Sequence, residues 1–387
     1  MKYGILFNQG NVNVGDDIQA YATSNFLPHT DYFIDRERIN EFVSDDDEPV
    51  GVIMNAWYMW AKWHWPPSKY IVPHFVGFHY ADHQLAKQPG SPIKYEFLNG
   101  VGGDYLKAYG PIGCRDNYTK GQLRGLGVDA YFSGCITLTL PKQEKIECGK
   151  YVCLVDIDPR VTKKIEKQLE GTGIEVKVMT QNKTADFDES WESRLKRVKK
   201  LLATYQNALC VVTKRLHCSL PCLAMEVPVL LVKEMTDDIR FDPYYDYMHR
   251  STVTDFLAGK CDYNFADPPE NPQLYKPVRE ELIRSCEQFV AETKDVEATA
   301  DELCKTTYTE DEVIRWRHDT MMEAMDNWLA VNRELMINNK YMGKEIDKMK
   351  KNGGSVVGTS KYETAMNLPG SVLLKALKTK AKHKFIK

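Results

Sequence analysis

The stretch Leu209-Cys-Val-Val-Thr213-Lys214-Arg215-Leu216-His217-Cys218-Ser219-Leu220-Pro221 holds the repeating unit of the fold. Its first half is a short apolar run rich in β-branched residues, the composition of a strand buried on both faces. Its second half opens a helix near Ser219, with Pro221 in the first turn, where a missing N–H costs little. Such a unit builds a parallel sheet, and ligands bind at the carboxyl ends of its strands. Lys214, Arg215 and His217 lie at that junction. First-turn N–H groups and the positive end of the helix dipole favour an anion there. Arg215 adds a planar fork for carboxylate or phosphate, and His217 a group that moves protons near neutral pH.

The same alternation extends in both directions. Tyr3–Phe7, Val50–Asn55, Ile71–Phe78, Pro111–Arg115 and Ala130–Phe132 read as strands, with helices at Ile18–Phe26, Asp104–Ala108 and Tyr118–Leu126. A second series starts at Tyr151–Val155 and runs through Val161–Leu169 (helix), Glu175–Met179 (strand) and Trp191–Tyr205 (helix). It continues with Leu209–Thr213, a short helix near Leu220–Met225, and the strand Pro228–Val232. In Trp191–Tyr205 the residues Trp191, Leu195, Val198, Leu202 and Tyr205 fall on one helical face. Strand–helix alternation means an α/β fold with parallel sheets. Two series predict two doubly wound, Rossmann-like domains facing a cleft, residues 1–145 and 146–294.

Residues 295–387 read as a helical extension. Thr309 and Glu312 form a capping box, and Gly353-Gly354 is a stop signal. Between them Met321, Trp328, Leu335, Met342 and Met349 recur every seven residues, interleaved with Met325, Asn332, Asn339 and Ile346. That stripe fits a long helix lying across the domains, or a coiled coil joining copies of the chain through residues 310–352. In Ser371–Lys387 six lysines surround a small apolar face, the pattern of a solvated tail or of contact with an anionic membrane surface.

Composition bounds the function. The 387 residues carry 51 Lys+Arg against 54 Asp+Glu, a net charge of −3, which argues against a protein coated in nucleic acid. With 43% hydrophobic and 27% charged residues, wholesale disorder is excluded. No run of 18 apolar residues appears, and the N-terminus turns polar at Asn8, too early for a signal peptide. A cytoplasmic protein with reduced thiols is therefore expected, its ten cysteines scattered and without a CxxC pair.

The run Val211–Val229, with its Thr213-Lys-Arg215-Leu-His217 core, resembles the signature of the polysaccharide pyruvyl transferase family. Gly10-Asn11-Val12-Asn13-Val14-Gly15-Asp16-Asp17 is similar to that family's N-terminal loop. Gly113-Cys114-Arg115-Asp116, followed by Leu123-Arg124-Gly125-Leu126-Gly127, is similar to its mid-chain segment. The resemblance covers roughly residues 1–245. It implies a GT-B-like pair of domains and transfer of a pyruvyl group from phosphoenolpyruvate to two hydroxyls of a saccharide or lipid-linked saccharide, forming a cyclic ketal. It further implies Arg115, Lys214 and Arg215 as donor-binding cations and His217 as the proton-transfer group, acid or base, with no cofactor or metal. A basic tail fits an acceptor at the inner membrane face. Two features depart from the pattern: Ser133-Gly-Cys-Ile-Thr137 stands where many members have a strand ending in Asp-Pro, and the segment beyond Asp295 has no counterpart.

Other residues complete the candidate cleft. Asn13, Gly15, Asp16 and Asp17 open a helix after the first strand, to meet sugar hydroxyls or to cap the helix. Trp57 and Trp60 belong to an aromatic-rich segment that reads as a sugar platform, a core or a lid. Arg240, in the loop following Val229–Val232, can reach the cleft or stay on the surface. His74, His79 and His83 make a poor zinc site, because strand positions five apart point to opposite faces. Two other functions compete: a GT-B glycosyltransferase holding a nucleotide sugar on the same cations, and an assembly protein organised by its long helix.

Overall fold

The computed structural model describes residues 1–45, 47–58, 64–80, 98–142, 149–234 and 238–351. The chain divides into two compact units, residues 1–60, 64–79 and 102–307 in one, and 61–63, 80–101 and 308–387 in the other.

The first unit contains two parallel sheets. Strands β1 (Lys2–Phe7), β2 (Tyr32–Asp35), β3 (Val50–Ile53) and β5 (Ile71–His74) form one in the order β2-β1-β3-β5; β4 (Trp57–Tyr58) and β6 (His79–Tyr80) are short flanking strands. A small parallel ladder pairs β7 (Ile112–Cys114) with β8 (Ala130–Phe132). The second sheet holds β9 (Tyr151–Val155), β10 (Glu175–Met179), β11 (Cys210–Thr213), β12 (Val229–Lys233) and β13 (His249–Thr252) in the order β10-β9-β11-β12-β13. Every residue of β9 and β11 is buried, as central strands covered on both faces must be, while no residue of β10, at the edge, is fully buried. Strand β5 is shorter than its apolar run predicts. Gly77 takes φ +64° three residues after His74, turning the chain out of the sheet.

Helices α1 (Val14–Ser24), α2 (Gly100–Ala108), α3 (Asn117–Gly125), α4 (Pro159–Leu169), α5 (Trp191–Gln206), α6 (Leu216–Ala224) and α7 (Lys276–Thr293) alternate with these strands or follow them. One continuous core runs from Tyr3, Ile5 and Ile18 through Ile136 and Leu138 to Val155, Val211 and Leu223, so both sheets share it. Helix α7 follows the second sheet yet returns to the first: Tyr3 Oη lies 2.9 Å from Thr293 Oγ1, and His74 Nε2 lies 3.0 Å from Ser285 Oγ.

The stripe predicted on α5 is present, with Val198, Leu202 and Tyr205 fully buried. A charge is buried with them. Arg194, inaccessible to solvent, donates to Asp17 Oδ1 of α1 at 3.2 Å and to Asn8 O at 3.0 Å. Lys183 stands 3.6 Å from Asp17 Oδ2, and Glu189 binds both Lys183 at 2.6 Å and Arg197. Burial pushes the Asp17 carboxyl above its usual range despite these cations, so desolvation outweighs attraction there. The Asp17–Arg194 pair thus favours one docking of α1 on α5 without adding much net stability.

The second unit is dominated by α8 (Glu310–Lys351), 42 residues long. The expected capping box is formed: Glu312 Oε2 accepts from Thr309 N at 2.8 Å, and Thr309 Oγ1 accepts from Glu312 N at 3.3 Å. Met321, Met325, Leu329 and Met336 are exposed. The Gly353-Gly354 stop and the basic tail lie outside the described residues.

Removing one member of the buried pair strands the other. Arg194→Met is expected to lower unfolding free energy by about 3–5 kcal/mol in urea titrations. Adding Asp17→Asn should recover part of that loss; two additive losses would show that the pair is not coupled.

Candidate functional site

In both sheets the chain reverses its direction of strand addition, between β1 and β3 and between β9 and β11. Ligand crevices form at such switch points, outside the carboxyl ends of the strands. Four segments meet there: the start of α1, the end of β3, the end of β7 and the start of α6.

Asn13 caps α1, its side chain accepting from Gly15 N at 3.1 Å. Its loop is stitched to the segment after β10, since Val14 N donates to Gln181 O and Lys183 N donates to Val12 O, both at 2.9 Å. This seam brings α1 against α6. Gly15 faces His217 so closely that a Cβ there would lie 2.9 Å from Nδ1.

Helix α6 starts at Leu216, earlier than the expected Ser219, so His217 belongs to its first turn. Pro221, lacking an N–H, cannot bond the carbonyl of His217 four residues back. Gln181 Nε2 takes that oxygen instead, at 3.0 Å, and His217 is left with non-helical angles (φ −81°, ψ 22°). The Arg215 N-cap makes no side-chain capping bond to the first turn.

Arg115 is buried at the end of β7. Its amide donates to Phe78 O at 2.9 Å and its carbonyl accepts from Tyr244 Oη at 2.6 Å. From this mount Nη1 donates to Gln19 Oε1 at 3.2 Å and reaches His217 Nε2 at 3.4 Å. Nε of Arg115 has no hydrogen-bond partner among the described residues. Burial, followed by the charges of Arg115, Arg240, His79 and Arg215, holds the His217 imidazole well below its ordinary pKa of 6.5. The ring is neutral at pH 7.

The structure thus brings Arg115, His217 and Gly15 together, with Arg215 beside them on the same turn. Arg215 is anchored: Nε donates to Asp156 Oδ2 at 3.0 Å and Nη2 to Asn182 Oδ1 at 2.6 Å. Lys214 is exposed. Arg240 is chelated by Asp238, at 3.0 and 2.8 Å, and contributes its field. Although burial acts to raise it, Arg240 and Lys233 hold the Asp238 carboxyl well below the usual range. Asp16 accepts from Gln19 Nε2 at 3.2 Å and lies 3.8 Å from Arg36, whereas Asp17 turns away into the ion cluster. Trp57 is half-buried with the Arg36 guanidinium 4.7 Å from its ring centre. Trp60 lies outside the described residues, as does His83.

Sequence reasoning passed over the groups that connect these. Gln19 sits one helical turn after Gly15, on the face turned to His217. Asn55 follows β3 and donates to Gln19 Oε1 at 3.1 Å. His79, weighed only as a metal ligand, is 2.5 Å from Asp116 Oδ2, whose other oxygen caps α3 through Thr119 N at 2.8 Å. Burial opposes ionisation of Asp116, but these two bonds keep its carboxyl below the usual range. His74 is occupied by Ser285, and burial lowers its pKa to about 4.

A profile described as polysaccharide pyruvyl transferase matches residues 13–233, more than half of the chain and all of the crevice up to the end of β12. The chain belongs to the polysaccharide pyruvyl transferase family. It is accordingly a transferase enzyme. No curated protein matches it significantly. Among solved structures it is similar to an uncharacterized protein from Klebsiella pneumoniae subsp. pneumoniae NTUH-K2044, at 12% identity and a TM-score of 0.36, over 65% of this chain and 93% of that one. So distant a likeness carries no inference. In this pyruvyl transferase, Ser133, which departs from the family pattern, accepts from Gly77 N at 2.8 Å and donates to Cys114 O at 3.3 Å. It braces the strand end that carries Arg115.

Gly15→Ala is expected to displace His217 while leaving α1 intact. Turnover should fall by about 10²-fold with little change in Tm. An unchanged kcat would mean that His217 yields without cost.

Proposed function

We propose that this transferase moves the pyruvyl group of phosphoenolpyruvate onto two hydroxyls of a sugar in a cell-surface polysaccharide or its precursor, forming a cyclic ketal. One observation carries the reading: the His217 imidazole lies 3.4 Å from the buried Arg115 guanidinium, with the charges that press hardest on it all positive. Such a site suits a small polyanion that must react next to a base. Phosphoenolpyruvate brings a carboxylate and a phosphate. Arg115 can hold one through its uncommitted Nε edge; Lys214, the remaining Nη1 of Arg215 and the α6 amides can hold the other.

His217 acts as the base in this reading, because a depressed pKa leaves its lone pair available at neutral pH. It takes the proton of the first sugar hydroxyl as that oxygen bonds to the carbon bearing the phosphate ester. One proton is added to the methylene carbon, which becomes a methyl group. The second hydroxyl displaces phosphate at the same carbon, and its proton leaves with the phosphate. The diol thus loses two protons, one to carbon and one to the released anion. In this reading Asn13 and Asp16, on the α1 side, meet the acceptor hydroxyls. The two order reversals support a GT-B-like pair of Rossmann-like halves. The reading places the enzyme in the cytoplasm, with residues 371–387 near the inner membrane face; no described helix is long and apolar enough to cross a membrane.

Calorimetric titration of phosphoenolpyruvate, with UDP and GDP in parallel, tests the donor. Wild type should bind phosphoenolpyruvate and neither nucleotide, and Arg115→Met should weaken binding at least tenfold. Tight nucleotide binding alone would move the reaction to glycosyl transfer. His217→Asn should keep donor binding and lose about 10²–10⁴-fold in kcat. In the wild type, kcat/KM should stay level through neutrality and fall only on acidification well below 6.5, where the base becomes protonated. An acid limb above pH 7 would contradict a neutral base.

A further inference from the structure

We propose that Gln19 is a positioning residue that opposes protonation of His217 until an anion enters beside Arg115. The argument follows hydrogen-bond polarity inward from a backbone group. The amide of Ile136 can only donate, and it donates to Asn55 Oδ1 at 3.1 Å. Asn55 must therefore turn its NH₂ toward Gln19, where Nδ2 donates to Oε1 at 3.1 Å. Arg115, permanently protonated, donates to the same oxygen at 3.2 Å. The Gln19 NH₂ is left facing Asp16 Oδ1 at 3.2 Å, Gly15 O at 3.4 Å and His217 Nδ1 at 3.4 Å. Turning the amide over would set its NH₂ against two donors and its oxygen against two acceptors. Its orientation is locked.

His217 consequently meets an N–H donor at each ring nitrogen. Arg115 at Nε2 requires a lone pair there, which puts the single hydrogen of the neutral ring on Nδ1; the Gln19 NH₂ opposite it turns the positive end of its dipole to the ring and so disfavours added positive charge. An imidazolium would oppose donors on both sides. The other charges around the ring act in the same direction: Arg240 from the loop after β12, His79 from β6, and Arg215 on the adjoining residue of its own chain. The nearby carboxylates are engaged elsewhere, Asp116 with His79, Asp156 with Arg215, and Asp16 with Gln19 and Arg36. An incoming carboxylate or phosphate reverses the balance, supplying Arg115 with a counter-charge and the ring with an acceptor. Basicity at Nε2 then rises only when donor substrate is present. This last consequence rests on the pyruvyl-transfer reading; the control of His217 by Gln19 does not.

The decisive measurement is an NMR titration of the histidine imidazoles in the substrate-free protein, with His217 assigned through His217→Asn. Gln19→Glu places a carboxylate against Nδ1 and should raise the His217 pKa by about one unit or more. Gln19→Met, of similar length, removes the opposing donor and should raise it less. The acid limb of kcat/KM should move upward in the same order. If folded Gln19→Glu and Gln19→Met proteins both titrate at His217 as wild type does, the proposal fails. Should the buried carboxylate prevent folding, Gln19→Met alone decides. Addition of phosphoenolpyruvate to wild type should raise the His217 pKa. No response there, with the two variants still shifted, would overturn the donor assignment and leave the role of Gln19 standing.

Discussion

A guanidinium held 3.4 Å from an imidazole is the contact on which the site depends. Two groups that can both be cations tolerate that distance only if one stays neutral, and arginine does not give up its proton. The histidine must yield. Its neutrality follows from where Arg115 is mounted, and the mount is rigid: a buried strand end, with its amide bonded to Phe78 and its carbonyl to Tyr244. Such a site holds positive potential in a poorly screened setting, which suits capture of a small polyanion.

The contact joins the end of β7 to the start of α6, so the placement of these elements must be held closely. Part of that work falls to the backbone seam between Val12–Val14 and Gln181–Lys183, and part to the shared apolar core. The buried ions around Asp17 and Arg194 add a geometric requirement, since any other placement of α1 on α5 would leave a charge stranded. Gln181 links this framework to the chemistry. It lies between seam and site, and its side chain takes the carbonyl that Pro221 frees on His217.

Much of this was legible in the sequence because it is local. Strand–helix alternation, the Thr309–Glu312 box and the cation-rich junction at Lys214–His217 depend on neighbours within a turn or two. The grouping of Arg115 with His217 came through family resemblance, since 102 residues separate them. Gln19, Asn55 and the His79–Asp116 pair were missed for a physical reason. A buried amide or imidazole looks ordinary until its partners are known, and the ones that matter here are distant in the chain: Asn55, Arg115 and His217 for Gln19, and Asp116 for His79. Arg194 was missed differently. It occupies a helix position that periodicity left outside the apolar face, but the facing helix supplies a carboxylate and buries it.

The sequence by itself determined most of the strands and helices, though not β2, β13 or α7, and which strand end would gather cations, because hydrophobic period and helix-start chemistry act over short range. Only the tertiary structure decided how those cations behave. Asp156 anchors Arg215, Asp238 chelates Arg240, and Arg115 is left facing His217. Charge and protonation depend on distance and burial in three dimensions, quantities that spacing along a chain does not contain.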